Sequence, residues 1–304
     1  MLHVNDEIIS NSIDTQEAIT SLKEAFIAFD HGKAAIQERV RTECGGVKLS
    51  TLGAVIPDQG YVGAKIYTTI AGKFQFVILL FSTKTGAPLA YFDAEAITRI
   101  RTAACSVIAA KQLANPKSKK LAILGSGIQG IEHAIQFSRT YELDEISLYS
   151  PNLTKARTDQ LQERCATPVR MSSIEEAIQE ADIIVTASRS TTALFNGKSL
   201  PANCFIAAVG SSLPTTRELD DTTLERASII AVEWKHQTLL EAGDLVLASP
   251  QSNVASKIVE LGELLSQERY ANLSTKSGIK IYKSVGIGLE DIAIAGLVYD
   301  KIKT

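Results

Sequence analysis

The segment Gly125-Ser126-Gly127-Ile128-Gln129-Gly130 constrains this chain more than any other. It follows the apolar stretch Leu121–Leu124 and precedes residues 131–139, whose spacing predicts a helix; a further strand is expected at Glu145–Tyr149. In that setting each glycine has its own task. Gly125 permits the tight turn, Gly127 lets the backbone approach a pyrophosphate, and Gly130 lets helix and strand pack closely. Free N–H groups at the helix start then point at the phosphates. Later strands are expected at Asp182–Thr186, Phe205–Val209 and Ile229–Val232, with helical stretches between them, one opened by Ser173 and Glu176 in capping-box spacing. This alternation predicts an α/β fold, a Rossmann doubly wound parallel sheet with helices on both faces.

The residues before the glycine loop follow another rhythm. Asp14 and Glu17 have capping-box spacing, and Ala18, Ile19, Leu22, Ala25, Phe26 and Phe29 form one apolar face, so a helix is predicted over 14–30 with Gly32 as its stop. Strands follow at Val47–Val55, Tyr61–Ile70, Phe74–Thr83 and Leu89–Phe92, separated by the turn formers Pro57-Asp58-Gln59-Gly60, Ala71-Gly72-Lys73 and Lys84-Thr85-Gly86. Links this short imply an antiparallel or mixed sheet. An alanine-rich helix from Ile97 to Leu113 ends at Asn115-Pro116, and a last helix, Leu289 to Ile302, is expected to return to the first domain. The expected division is a smaller mixed-sheet α+β substrate and dimerisation domain at 1–115 with 288–304, and a dinucleotide-binding domain at 116–287.

Composition removes other classes of function. The net charge is −3 with no basic stripe, which argues against nucleic acid as a partner. The longest apolar run, Phe76 to Phe81, falls far short of the ~20 residues that span a membrane. No basic segment followed by an apolar one opens the chain, so a cytoplasmic protein is expected. Cys44, Cys105, Cys165 and Cys204 are scattered and are read as buried thiols of a reducing compartment. His3, His31, His133 and His236 are equally isolated, and no metal site is expected.

Cofactor type is read at the end of the second strand of the glycine-loop domain. An acid there would bind the ribose hydroxyls and repel a 2′-phosphate. This chain has Tyr149-Ser150-Pro151-Asn152-Leu153-Thr154-Lys155 instead. Ser150 and Asn152 offer neutral hydrogen-bonding groups, and Lys155 and Arg157 offer positive charge, so NADPH is favoured and NADH remains possible.

Several local motifs recur in one order: Arg101-Thr102-Ala103-Ala104-Cys105-Ser106, the glycine loop, Ala208-Val209-Gly210-Ser211-Ser212 with Arg217-Glu218-Leu219-Asp220-Asp221, Glu241-Ala242-Gly243-Asp244, and Lys283-Ser284-Val285-Gly286. Together they resemble the ornithine cyclodeaminase/mu-crystallin family along nearly the whole chain. The resemblance implies a homodimer with the first domain's sheet at the subunit interface and an active site in the interdomain cleft. It implies a small substrate carrying a carboxylate beside a carbon that is reduced or oxidised. It also implies that Thr186, Val209, Gly210, Lys283 and Val285 join the glycine loop at the cofactor, and that Arg41, Lys65 and Arg101 form the substrate site. The assignment at Arg41 competes with Arg39, two residues away on the same strand face.

The chemistry of these basic residues is sensible in itself. An arginine fork holds a carboxylate in two-point contact and so fixes the carbon beside it. A nearby lysine neutralises that carboxylate or hydrogen-bonds the reacting nitrogen. One departure bears on the reaction: where the family's cyclodeaminases and archaeal alanine dehydrogenases carry an aspartate, this chain has Ser212. A hydroxyl cannot take up a proton near neutral pH as a carboxylate does. Ser212 therefore moves the expectation from deamination towards the ketimine reductase members. The expected reaction is NADPH-dependent reduction of Δ1-pyrroline-2-carboxylate to proline, with Δ1-piperideine-2-carboxylate, giving pipecolate, as second substrate. The alternatives are an NAD-dependent, ammonia-releasing cyclodeaminase, an alanine dehydrogenase-like enzyme, and a non-catalytic NADPH-binding protein.

Overall fold

The computed structural model describes residues 1–303. It divides into two compact units, Met1–Ala104 together with the chain from Gly286 on, and Cys105–Val285.

The first unit opens with β1 (Leu2–Val4), α1 (Asp6–Ser12) and α2 (Thr15–Asp30). Asp14 caps α2, and the reciprocal contact from Glu17 completes the capping box expected from their spacing. Then come β2 (Ala35–Ile36), β3 (Val40–Cys44), β4 (Val47–Ile56), β5 (Tyr61–Ile70), β6 (Lys73–Ser82) and β7 (Pro88–Asp93). The sheet order is β1-β7-β6-β5-β4-β2, with β3 also on β4. Pairing is antiparallel except for β1 on β7, so the sheet is mixed.

Register sorts this sheet into two faces. Leu52, Lys65, Ile78 and Phe92 lie opposite one another across four strands and are all buried. The chain's final helix, Gly288–Ile302, packs on that face. Gly63 permits the close approach: a Cβ there would stand 2.2 Å from the Leu79 carbonyl and 2.9 Å from the Ile292 side chain. The other face carries Val55, Val62, Ile66, Val77, Leu79 and Phe81, of which Val55 and Val77 are each 41% exposed.

Helix α3 (Glu95–Leu113) starts in the first unit and runs on into the second. The division thus falls inside α3, earlier than the Asn115-Pro116 stop suggests. Hydrogen bonding gives the reason: Ser106, in its second half, meets His133 of the next helix at 2.9 Å.

The second unit continues with β8 (Lys120–Leu124), α4 (Ile128–Thr140), β9 (Glu145–Tyr149), α5 (Lys155–Gln162), β10 (Val169–Met171), α6 (Ile174–Gln179), β11 (Ile183–Thr186) and β12 (Cys204–Ala208). It ends with α7 (Asp221–Arg226), β13 (Ala227–Val232), α8 (Lys235–Glu241), α9 (Gly243–Val246), β14 (Ile258–Glu260), α10 (Leu261–Ser266) and β15 (Ile279–Lys283); the final helix is α11. All pairs in its eight-stranded sheet are parallel, in the order β10-β9-β8-β11-β12-β15-β13-β14. The chain leaves β8 in one direction for β9 and later continues on its other side with β11. That reversal makes the crevice in which parallel sheets of this kind bind ligands, beyond the carboxyl ends of the strands.

Candidate active site

The glycine loop stands at that crevice. Gly125 has φ +128°, and a Cβ on it would lie 2.3 Å from the Ala187 carbonyl after β11. At Gly130 a Cβ would fall 1.7 Å from the Gly125 carbonyl, so no larger residue fits either place. Gly127 is different: nothing lies within 4 Å of its Cβ position. It is the N-cap of the thirteen-residue α4, with no side-chain cap bond and no acidic residue in the first turn. A helix start of this kind, with open space at its cap, fits a pyrophosphate. Ser126 is buried in the loop, Gln129 half-buried, and Ile128 is 52% exposed beside it.

At the end of β9, Ser150 is half-buried, whereas Asn152 and Lys155 are exposed, and Lys155 lies 3.9 Å from Asp159. Val209 and Gly210, at the end of β12, are half-buried. Two other residues assigned to the cofactor are engaged within the protein. Thr186 is fully buried and donates to Glu218 at 2.8 Å. The buried Lys283 ammonium meets Asp244 at 2.8 Å and donates to the Ser211 carbonyl at 2.6 Å. Val285, two residues after Lys283, is also buried.

Sequence reasoning missed the polar frame behind this loop. The Glu218 carboxylate accepts from Ser188 N, Ser188 Oγ, Gly210 N and Thr186 Oγ1 at 2.7–2.8 Å, tying the ends of β11 and β12 together. Asp244 in turn accepts from the Glu218 and Leu219 N–H groups at 2.6 and 2.8 Å. Only the Arg217–Asp221 and Glu241–Asp244 motifs hinted at it, since the partners lie far apart in the chain. Ser212 follows this frame directly; it is half-buried, with no hydrogen bond to any described residue.

The first unit holds a second cluster. Lys65 on β5 and Arg101 on α3 are 3% and 7% exposed. Lys65 Nζ donates to Thr98 Oγ1 at 2.7 Å and to Asp291 Oδ1 at 3.1 Å, and it stands 4.7 Å over the Phe76 ring. Burial pushes the Lys65 ammonium down from 10.5 to about 8; Asp291 opposes the shift, and Arg101 and Arg39 reinforce it. Arg101 Nη1 donates to Glu290 Oε2 at 2.5 Å, and its Nε lies 3.4 Å from Asp291 Oδ1.

Arg39, half-buried just before β3, donates from Nη2 to the Gly286 carbonyl at 2.6 Å. Gly286 has φ +74°, and a Cβ there would sit 2.7 Å from the Arg101 guanidinium. Arg39, Lys65 and Arg101 are therefore neighbours. Arg41 stands exposed on β3, opposite Ser50. Both arginines occupy one face because the side-chain period of a strand is two; the sequence cannot rank them. Glu290 and Asp291, both fully buried, were missed. They stand together in the first turn of α11, but nothing in the sequence shows which groups they meet.

Cys44 departs from the reading of the cysteines: it is exposed, whereas Cys105, Cys165 and Cys204 are buried. It ends β3, every residue of which is exposed. No helix of the described residues is long and apolar enough to cross a membrane.

The parallel sheet, the glycine loop at its reversal point and the separate cationic cluster define a dinucleotide-binding oxidoreductase fold of two units. The whole chain, residues 1–304, matches the ornithine cyclodeaminase/mu-crystallin family. It is 32% identical to the ketimine reductase mu-crystallin of Mus musculus over 310 residues, covering 98% of this chain and 94% of that protein. Among solved structures it resembles the probable ornithine cyclodeaminase of Bordetella pertussis Tohama I, at 51% identity and TM-score 0.96, covering 99% of this chain and 97% of that one. It also resembles the Δ1-pyrroline-2-carboxylate reductase of Thermococcus litoralis, solved with NADH and L-proline, at 26% identity and TM-score 0.92, covering 99% and 97%. This chain belongs to the ornithine cyclodeaminase/mu-crystallin family.

Proposed function

We propose that this protein is an NADPH-preferring reductase of cyclic ketimines bearing a 2-carboxylate, converting Δ1-pyrroline-2-carboxylate to proline and Δ1-piperideine-2-carboxylate to pipecolate. The observation that carries the reading is the pair of buried cations Lys65 and Arg101 with the half-buried Arg39 beside them, taken with a hydroxyl at Ser212 in the loop after β12. A buried cationic cluster suits a small anion, and a carboxylate is the anion that an arginine fork holds best. The Mus musculus relative, named a ketimine reductase, and the Thermococcus litoralis relative, named a Δ1-pyrroline-2-carboxylate reductase, support the same reaction class.

The glycine loop, with Ser150 and Asn152 at the end of β9 and Val209 and Gly210 after β12, would hold the dinucleotide. When bound, the nicotinamide supplies the hydride. Arg101 and Arg39 grip the substrate carboxylate and so hold C2 in one orientation, the positioning that a transfer reaction needs. Lys65, cationic below about pH 8, neutralises that carboxylate or hydrogen-bonds the ring nitrogen. A cyclic imine arrives with its nitrogen already sp². Its protonated form accepts a hydride at C2 while the C=N π pair moves onto nitrogen, giving the secondary amine with no further proton needed. Ser212 then has no proton to take. The absence of an acid among Ser150, Pro151 and Asn152 favours the 2′-phosphate of NADPH.

The Bordetella pertussis relative, with its 51% identity, favours a second reading as an ornithine cyclodeaminase. One paired assay separates the two. Purified protein is given each cyclic imine with NADPH or NADH, and separately ornithine with NAD, and cofactor oxidation and ammonia are both followed. Imine reduction that is faster with NADPH, with little ammonia, is expected. Robust ammonia release without imine reduction would install the cyclodeaminase instead.

A further inference from the structure

Two buried cations, Lys65 and Arg101, stand together with the half-buried Arg39 beside them. Moving a charge out of water costs several kcal/mol even after relaxation, and like charges add repulsion. The chain answers with two consecutive acids in the first turn of α11, Glu290 and Asp291, both fully buried. Neighbouring residues on a helix point about 100° apart, so the two carboxylates reach different atoms. Both meet Arg101, and Asp291 also meets Lys65. Glu290 bonds Arg101 Nη1 at 2.5 Å, and Asp291 Oδ1 takes Lys65 Nζ at 3.1 Å with Arg101 Nε at 3.4 Å. The start of a helix favours negative charge, which suits both acids to this position.

We propose that Asp291 and Glu290 are positioning residues of the substrate site with distinct tasks: Asp291 holds the Lys65 ammonium in place and in its charged form, and Glu290 orients the Arg101 fork. The inference rests on the cationic cluster being the substrate site. The groups facing Lys65 come from four directions. Asp291 projects from α11, Arg101 and the Thr98 hydroxyl from α3, Arg39 from the segment before β3, and the Phe76 ring from β6. Of these, Asp291 alone carries negative charge, while Arg101 and Arg39 both work against the ammonium. Removing the Asp291 charge leaves burial and two repelling guanidinium groups, one of them still paired with Glu290, against only the Thr98 hydroxyl and the Phe76 ring, and the lysine loses its proton at lower pH.

The test is Asp291→Asn, read in two ways. In wild-type protein labelled with 13C-lysine, the Lys65 resonance, assigned through Lys65→Arg, is expected to titrate below the usual lysine range, near pH 8; in Asp291→Asn its midpoint is expected to fall by a unit or more, at least a tenfold loss of proton affinity. The alkaline limb of kcat/KM for imine reduction moves down by the same amount. Asp291→Glu, which keeps the charge, restores most of both. Glu290→Gln leaves the limb where it is and raises KM about tenfold. A Lys65 midpoint in Asp291→Asn within a few tenths of wild type would overturn the proposal. The resonance needs no substrate, so a wild type that reduces no imine but shows the shift refutes the proposed reaction and spares this inference. Should Asp291→Asn not fold, Lys65→Gln combined with Asp291→Asn removes both charges. Folding of that pair supports the charge role, and failure to fold contradicts it.

Discussion

Arg39 and Arg41 differ by one strand period, yet their surroundings set them apart. Arg39 bonds the Gly286 carbonyl beside Arg101, whereas Arg41 is exposed on β3. Arg39→Ala is expected to raise KM for the imine at least ~tenfold, in line with the ~1.5–3 kcal/mol of a hydrogen bond to a charged group. Arg41→Ala should change it little, and steady-state kinetics on the two variants decide which arginine holds the carboxylate. Ser150 carries the matching prediction for the cofactor. Ser150→Asp sets a carboxylate where the 2′-phosphate is expected, so kcat/KM with NADPH should fall at least ~tenfold relative to NADH, the factor that ~1.4 kcal/mol represents. An unchanged ratio would mean that the end of β9 does not read the phosphate. Gly286 was legible only as part of a motif. Its φ of +74° and the guanidinium 2.7 Å from its Cβ position explain why glycine stands there.

At the scale of elements, α3 and α4 are joined by a buried histidine. His133 Nδ1 lies 2.7 Å from the Gln129 carbonyl, which can only accept, so Nδ1 carries the proton and Nε2 accepts from Ser106 Oγ at 2.9 Å. Burial pushes His133 down from 6.5 to about 4, so it is neutral at physiological pH. The unfolded chain binds this proton at higher pH than the folded one. Stability therefore falls as pH drops from 6.5 through 4, by about 3 kcal/mol from this residue. Denaturant melts should show that loss reduced in His133→Gln, even though the variant is weaker at neutral pH; an identical acid slope would contradict the assignment. Sequence legibility has a clear pattern at this scale. Helices α2, α3 and α11 and strands β4 to β7 fall within one or two residues of expectation, because their apolar spacing is local. The short β1, β10 and β14 give too few residues for a period to show. Strand β15 is hidden for another reason: Lys280 and Lys283 read as exterior residues, yet both are buried. The Lys283 charge is met by Asp244, 39 residues earlier in the chain. Glu290 and Asp291 stay hidden likewise, their partners lying 189 and 226 positions away. Local pattern reveals elements; charge pairs made by the fold must be seen in it.

For the whole molecule, the family and the α/β architecture follow from the glycine loop and the order of the motifs, whereas the reaction turns on a few side chains. The homodimer implied by the family resemblance has a surface suited to it. The outer face of the first unit's sheet presents Val55, Val62, Ile66, Val77, Leu79 and Phe81, an apolar patch of the kind that marks protein contacts. We expect Val77→Glu to shift the protein from twice the chain mass to the chain mass in sedimentation; a wild-type monomer would contradict the dimer. The central claim is hydride delivery to an imine carbon, and its most direct measurement uses NADPH carrying deuterium on the transferred position of nicotinamide C4. The protein is incubated with Δ1-pyrroline-2-carboxylate and this cofactor, and the product is examined by mass spectrometry and NMR. Proline carrying deuterium at C2 is the predicted result. Absence of labelled proline from protein that releases ammonia from ornithine with NAD would contradict the account.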